Sequence, residues 1–258
     1  MRIFAVSAAC AAALIAILTS TAAAQDEEES SGPWTISATA VAASDYMFRG
    51  TSQTQNDPAI QGSIDLSHES GFYLGVWGSN VDFGPLDAAG TSIEVDIYAG
   101  WSGASEDETV SYDFNITWIT YPDAETDDNG LPTYSYFEGY AQLGYDFGQF
   151  AISGAVSFTP EFFGETGTGI YLTGGVAVPV TDWLTFDANI GRQSVEDTIP
   201  DNYVDWNAGA TATIEENFTV DIRYVDSNLS DIDCAFYTGS IANICDGRVV
   251  FSVSATLP

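Results

Sequence analysis

From Trp34 onward, apolar and polar residues alternate one by one in short runs separated by turn residues. Successive side chains of an extended strand point to opposite faces, so each run predicts a strand with one apolar and one polar side. The pattern is clean where Ile60, Gly62, Ile64 and Leu66 alternate with Gln61, Ser63, Asp65 and Ser67. It is equally clean where Ile93, Val95, Ile97, Ala99 and Trp101 alternate with Glu94, Asp96, Tyr98 and Gly100. It recurs at 111–118, 150–158, 184–190, 204–213, 218–224 and 248–257, and more weakly at 34–43, 72–80, 134–145 and 169–178, which makes twelve runs.

The connections alternate in length. Residues 69–71, 146–149, 179–182 and 215–217 are short, with 102–109 the longest of that set. Between them lie 44–58, 81–91, 119–133, 159–168, 191–202 and 226–247, all longer. Short turns at one end and long loops at the other predict an all-β fold, an antiparallel transmembrane β-barrel of about 12 strands, with periplasmic turns and extracellular loops. A secreted β-sandwich also alternates, but it packs an inner core and gives its loops no reason to alternate in length. Here the polar face is built of Ser, Thr, Gly, Asn and Asp, small enough to line or fill a lumen. Aromatic residues gather where lipid headgroups would meet such a barrel. Trp34, Phe72, Trp101, Phe147, Phe150, Trp183 and Phe218 lie near the short turns; Phe48, Trp118, Tyr134, Phe158, Tyr203 and Tyr224 lie near the long loops.

Composition narrows the function. The 258 residues carry 5 Lys+Arg, all of them arginine, against 37 Asp+Glu, a net charge of −32. Nothing in such a chain neutralises a row of phosphates, so nucleic acid is excluded as a partner. Arg2, the apolar run Ile3 to Leu18 and the exit Ala22-Ala23-Ala24 predict a secretory signal peptide over 1–24. The run is short for a retained membrane helix, and Cys10 inside it would leave with the leader. Residues 25–33 then predict a flexible acidic tail, and 34–258 the barrel. An even strand number returns both termini to the periplasmic side.

The stretch Ser44-Asp45-Tyr46-Met47-Phe48-Arg49-Gly50-Thr51-Ser52-Gln53 resembles the S-D-Y-x-F-R-G-x-S-Q motif of the Gcw_chp family. This is a proteobacterial outer-membrane family, also called the TorF family, whose members are named as porins mainly from sequence. Gly71-Phe72-Tyr73, Trp77 to Phe83, and Glu94-x-Asp96-x-Tyr98-x-Gly100 match it further, in the same order. The resemblance covers essentially the whole chain beyond the leader and implies an outer-membrane barrel of porin type. Such a barrel has outer-membrane lipid and lipopolysaccharide around it and the barrel-insertion machinery as its partner during biogenesis. One departure is the end, Ala255-Thr256-Leu257-Pro258, where outer-membrane barrels usually finish on an aromatic residue.

By parity, Asp65, Glu94, Asp96, Asp113, Glu138, Asp187, Asp205 and Asp221 face the lumen, with Arg223 and Arg248 beside them and Arg49 and Arg192 at strand ends near loops. Carboxylate rings favour cations, so one reading is a water-filled, cation-preferring pore. The other is a plugged barrel whose arginines bridge carboxylates on neighbouring strands. Within the motif residues Asp45, Tyr46, Phe48, Arg49 and Gly50, Arg49 is expected to clamp its loop to a neighbouring aspartate. The alternative is an inward arm pairing with lumen carboxylates. Cys234 and Cys245 share the longest loop and predict a disulfide rather than a metal site, since no further Cys or His lies nearby.

His68 is the single histidine. Ser67 and Ser70 are near it in sequence, but strand neighbours point to opposite faces, so it reads as an interfacial residue and not as the base of a hydrolase. Asp226-x-Asn228-x-Ser230 begins like a calcium loop but has Asp231 and Tyr237 where glycine and glutamate are needed. Gly164 to Gly169 is glycine-rich without lysine and reads as a loop, not a phosphate cradle. No catalytic residue, metal or cofactor is assigned. The favoured function is passive passage of small hydrophilic solutes or cations. A non-conducting structural or surface-binding barrel, acting through its acidic extracellular loops, is the alternative, and an outer-membrane hydrolase a distant third.

Overall fold

The structure, a computed structural model, describes residues 32–125, 130–215, 217–240 and 243–258. The leader expected at 1–24 and the acidic tail as far as residue 31 lie outside the described residues.

In chain order the strands are β1 (Trp34–Ala43), β2 (Met47–Phe48), β3 (Thr51–Ser52), β4 (Ala59–His68), β5 (Phe72–Asn80), β6 (Ile93–Ala104), β7 (Val110–Thr120), β8 (Tyr136–Asp146), β9 (Ala151–Thr159), β10 (Gly169–Thr181), β11 (Leu184–Val195), β12 (Asn202–Ile214), β13 (Phe218–Ser227) and β14 (Arg248–Leu257). Twelve of them close into one antiparallel barrel, while β2 and β3 form a small hairpin inside the first long loop. Closure comes from β1, which pairs with β4 on one side and β14 on the other. No barrel strand is left with an open edge, the condition for a sheet to cross a bilayer without exposing unpaired backbone groups.

The register keeps the alternation in phase around the whole wall. Ile64 pairs with Val76, Val76 with Ile97, and Ile97 with Trp118, all on the outer face. Ile36, Ile64, Ile97, Ile116, Ile190 and Phe251 are exposed there. A continuous apolar band of this extent is stable only against lipid. The turns 69–71, 105–109, 147–150 and 182–183 and the β12–β13 connection lie at one end, and 44–58, 81–92, the β7–β8 connection, 160–168, 196–201 and the β13–β14 connection at the other. Strand β10 runs on to Thr181, with a register shift between Pro179 and Thr181, so that turn is tighter than expected.

The aromatic girdle expected near the short turns is present, with Trp34, Phe72, Trp101, Phe147, Phe150, Trp183 and Phe218 all exposed. The one expected near the long loops is only partly there. Phe158 and Tyr224 are exposed, and Trp118 packs on Phe137 with centroids 4.3 Å apart. Tyr203 points inward because it shares parity with Asp205, and Phe48 and Tyr134 sit in loops that fold over the lumen.

The last long loop is not irregular throughout. It contains α1 (Asp231–Thr238), capped at its start by Ser230, which accepts from the Asp233 amide, and closed by Gly239 at φ 68°. Cys234 on α1 is bonded to Cys245. The calcium-like residues serve the loop itself: Asp226 accepts from the Tyr224 hydroxyl and Asn228 from the Val204 amide, both at 2.7 Å.

Candidate functional site: the lumen and its inward loop

On leaving β1 the chain turns into the barrel. Met47 pairs with Ser52 and Phe48 with Thr51, so Arg49-Gly50 is a two-residue hairpin turn, with φ of 48° and 80°. Two left-handed residues are what a type I′ turn requires. Glycine adopts that conformation freely; for arginine it costs about 1–2 kcal/mol. Gly50 is also pressed against the wall, since a Cβ there would lie 2.8 Å from the Asp205 Cβ and 3.0 Å from the Ser227 Cβ. Tyr46, Thr51, Ser52 and Thr54 are all buried. Asp45 accepts from the Ser52 hydroxyl at 2.5 Å and the Thr54 hydroxyl at 2.9 Å, and pairs with Arg248 on β14 at 2.9 Å.

Arg49 does not clamp its loop to a neighbouring aspartate. Arg248 already occupies Asp45, and the hairpin turn aims Arg49 away from its own base. Its Nη2 donates to both oxygens of Glu138 on β8, at 2.6 and 2.7 Å, and its Nη1 to Gln193 Oε1 on β11 at 2.9 Å. The guanidinium lies 4.6 Å from the Phe48 ring centroid and 4.4 Å from that of Tyr171. The Tyr203 hydroxyl donates to the Arg49 carbonyl at 2.9 Å. The motif loop therefore crosses the lumen and is bonded to its far wall.

Lower in the barrel, Arg223 makes a second centre. Its Nε and Nη2 donate to Asp221 at 2.9 Å, and its Nη1 to Asn207 at 2.6 Å and to Asp187 at 3.2 Å. Four other lumen carboxylates are held by phenols. Tyr46 donates to Glu94 at 2.8 Å, Tyr73 to Asp113 at 2.7 Å and Tyr171 to Asp205 at 3.1 Å, while Tyr98 donates to Asp65. Asp96 is 1% exposed, and its Oδ1 has no hydrogen-bond partner. Arg192 lies on the outer face, exposed, with Asn202 as its partner at 3.2 Å.

The tyrosine donors were not singled out from sequence, although parity carried the signal: Tyr98 alternates with Ile97 and Ala99 and so belongs to the polar face. Glycines on adjoining strands make room for the rings. A Cβ on Gly75 would come within 2.6 Å of the Tyr98 ring, and one on Gly100 would meet the Tyr73 hydroxyl.

Between and around these centres the lumen holds a cavity of about 1570 Å³, lined from Thr35 and Ser111 near the short turns to Tyr134 and Phe162 near the long loops. At the long-loop mouth Phe83, Tyr121, Tyr134 and Phe163 pack against one another. Burial, and then its hydrogen bond to Asp87, pushes the Tyr134 phenol up to about 12. Tyr237 of α1 packs on Tyr203 and is pushed up to about 12 by burial.

His68 stands at the opposite end, its ring 4.6 Å from that of Trp34. Contrary to the strand argument, Ser70 does reach it. Ser70 belongs to the turn, and its hydroxyl lies 2.8 Å from Nδ1, which also accepts the Ser70 amide at 3.1 Å. The pair caps a turn. Among the described residues, no three His, Cys, Asp or Glu side chains converge as a metal centre would need.

The fold has known counterparts. The chain is similar to the KdgM porin solved in complex with disordered oligogalacturonate, at a TM-score of 0.55 and 8% identity, over 86% of this chain and 99% of that one. It is similar to the NanC porin at a TM-score of 0.53 and 8% identity, over 87% of this chain and 100% of that one. At such identities the likeness is one of fold. No curated protein matches the sequence. Residues 27–257 match the family described as "Bacterial protein of unknown function (Gcw_chp)", and with the motif hairpin and the twelve-stranded wall in view, the chain belongs to the Gcw_chp family.

Proposed function

We propose that the protein is an outer-membrane channel that passes small hydrophilic solutes and prefers cations. One observation carries this reading: Asp65, Glu94, Asp96, Asp113, Glu138, Asp205 and Asp221 line a cavity of about 1570 Å³ together with Arg49 and Arg223, and Asp187 stands behind Arg223 as its partner. A lumen with that balance attracts cations and repels anions. The porin fold of its structural neighbours supports a channel, but their solutes do not carry over. Galacturonate is an acid, and this wall would repel a polyanion. The Arg49 hairpin narrows the long-loop end and sets the size limit. Lipid surrounds the apolar band, and Arg192, outward near the long-loop rim, meets lipopolysaccharide phosphate.

The inward loop also favours a second reading, a barrel closed at its mouth that acts through its long loops. Single-channel recording of the refolded barrel in a planar bilayer under a salt gradient decides between them. Conductance steps with a cation-side reversal potential, weakened in the double variant Asp65→Asn with Asp113→Asn, are expected. A folded barrel with no steps would leave the second reading.

A further inference from the structure

We propose that the β5–β6 wall of the lumen binds the primary ammonium group of a small organic solute, with Asp96 as its anion and Trp77 and Tyr46 as its walls. The proposal deepens the cation-channel reading and rests on it for the route by which the solute arrives.

An unpartnered carboxyl oxygen is the starting point. Asp96 is 1% exposed, its Oδ1 has no hydrogen-bond partner, and its charged neighbours, Glu94 and Glu138, are themselves carboxylates. A buried carboxylate oxygen left without a donor or counter-charge is strongly disfavoured. The chain has no cation to spare for it. Lysine is absent, and the four arginines among the described residues are committed elsewhere: Arg49 to Glu138, Arg223 to Asp187 and Asp221, Arg248 to Asp45, and Arg192 to Asn202 on the outer face. A cation that answers Asp96 therefore comes from outside the chain.

The surroundings say which kind. Trp77 is the direct cross-strand partner of Asp96, and both point inward. Side chains so placed start about 5 Å apart at Cβ. The Tyr46 ring meets Trp77 edge to face at 5.5 Å and 66°, which makes an aromatic corner beside the carboxylate, and the Tyr46 hydroxyl is occupied by Glu94. Tyr46, Trp77, Glu94 and Asp96 all line the lumen cavity. Aromatic faces attract cations and accept the apolar stem of an organic one. An unpartnered acceptor calls for an N–H donor, which a primary ammonium has and a quaternary one lacks. A divalent metal would need several convergent ligands, and the described residues do not supply them.

Titration calorimetry on the folded barrel in detergent tests this with three probes of similar size: n-butylammonium, neutral n-butanol and tetramethylammonium, a cation without N–H. Saturable binding of n-butylammonium, at least tenfold tighter than either of the others, is expected. Asp96→Asn should weaken it at least tenfold and Trp77→Leu severalfold, with heat-modifiable gel migration showing that each variant is folded. Should Asp96→Asn not fold, Trp77→Leu and the probe comparison in the wild type decide. No saturable binding, equal binding of all three probes, or binding indifferent to both substitutions would overturn the proposal. Conductance recorded in parallel separates the two readings: a conducting barrel that does not bind removes this site alone, and a binding barrel that does not conduct removes the channel alone.

Discussion

Arg49 and Glu138 are 89 residues apart in the chain and 2.6 Å apart in space. Their ion pair ties the tip of the inward hairpin to β8, and both side chains are largely shielded from solvent. Breaking a buried pair leaves the remaining charge without compensation.

Arg49→Ala should therefore do two things at once. Removing one partner of such a pair costs about 3 kcal/mol, read as a lower temperature for the heat-induced gel shift. Freed from β8, Gln193 and the rings of Phe48 and Tyr171, the hairpin should also move off the wall. Single-channel conductance should rise severalfold, with stronger cation preference. Unchanged conductance would mean that the hairpin does not set the constriction.

Gly50→Val should give the same phenotype for a different reason. The position has φ 80°, and a Cβ would lie 2.8 Å from the Asp205 Cβ. The left-handed conformation alone costs about 1–2 kcal/mol for a residue with a Cβ, and the wall cannot retreat. Combined with Arg49→Ala, the effect on conductance should fall short of additive, because both substitutions release the same hairpin.

Cys234→Ser should leave the barrel intact, because the disulfide closes a loop outside the wall. A loop of this length is worth about 2–3 kcal/mol, expressed in the loop. Limited proteolysis should cut near α1 in the variant and spare the wild type, with gel migration of the barrel unchanged.

Tyr134 supplies a test of the mouth. Its phenol is pushed up to about 12, by burial first and by its hydrogen bond to Asp87 second. A raised value means the folded mouth favours the neutral phenol. The stabilisation is complete below pH 10, the unfolded value, and is lost as pH rises through about 12. The ultraviolet difference titration between wild type and Tyr134→Phe should show one phenol with a midpoint near 12. A midpoint near 10 would show that Tyr134 does not pack into the mouth.

Much of this molecule could be read in one dimension. The alternation of Ile93 to Trp101 with Glu94 to Gly100 is a local property, and it set which side chains share a face of β6. The same parity placed Asp65, Asp113, Asp187, Asp205 and Asp221 on the inner wall. Glu138 was placed inward in the same way, but nothing near it in sequence named its partner. The Arg49–Glu138 pair depends on an Arg-Gly turn that reads equally well as an ordinary surface loop. Phe48 and Tyr134 look like girdle residues by position alone. They turn inward because their loops fold over the mouth, and loop direction is decided by contacts far away in sequence. Ser70 reached His68 because a turn, and not a strand, carries it.

By itself, then, the sequence determined the barrel, its strand number, its polar inner face and its acidic balance. These follow from period-two patterning, turn spacing and composition, each legible within a few residues. Only the tertiary structure decided which acid meets which cation. Closing twelve strands into a ring sets distances between residues that no local pattern encodes. That closure gave Glu138 to Arg49, Asp187 and Asp221 to Arg223, and phenols to four more carboxylates. It left Asp96 beside Trp77 with a carboxyl oxygen that the chain itself does not answer.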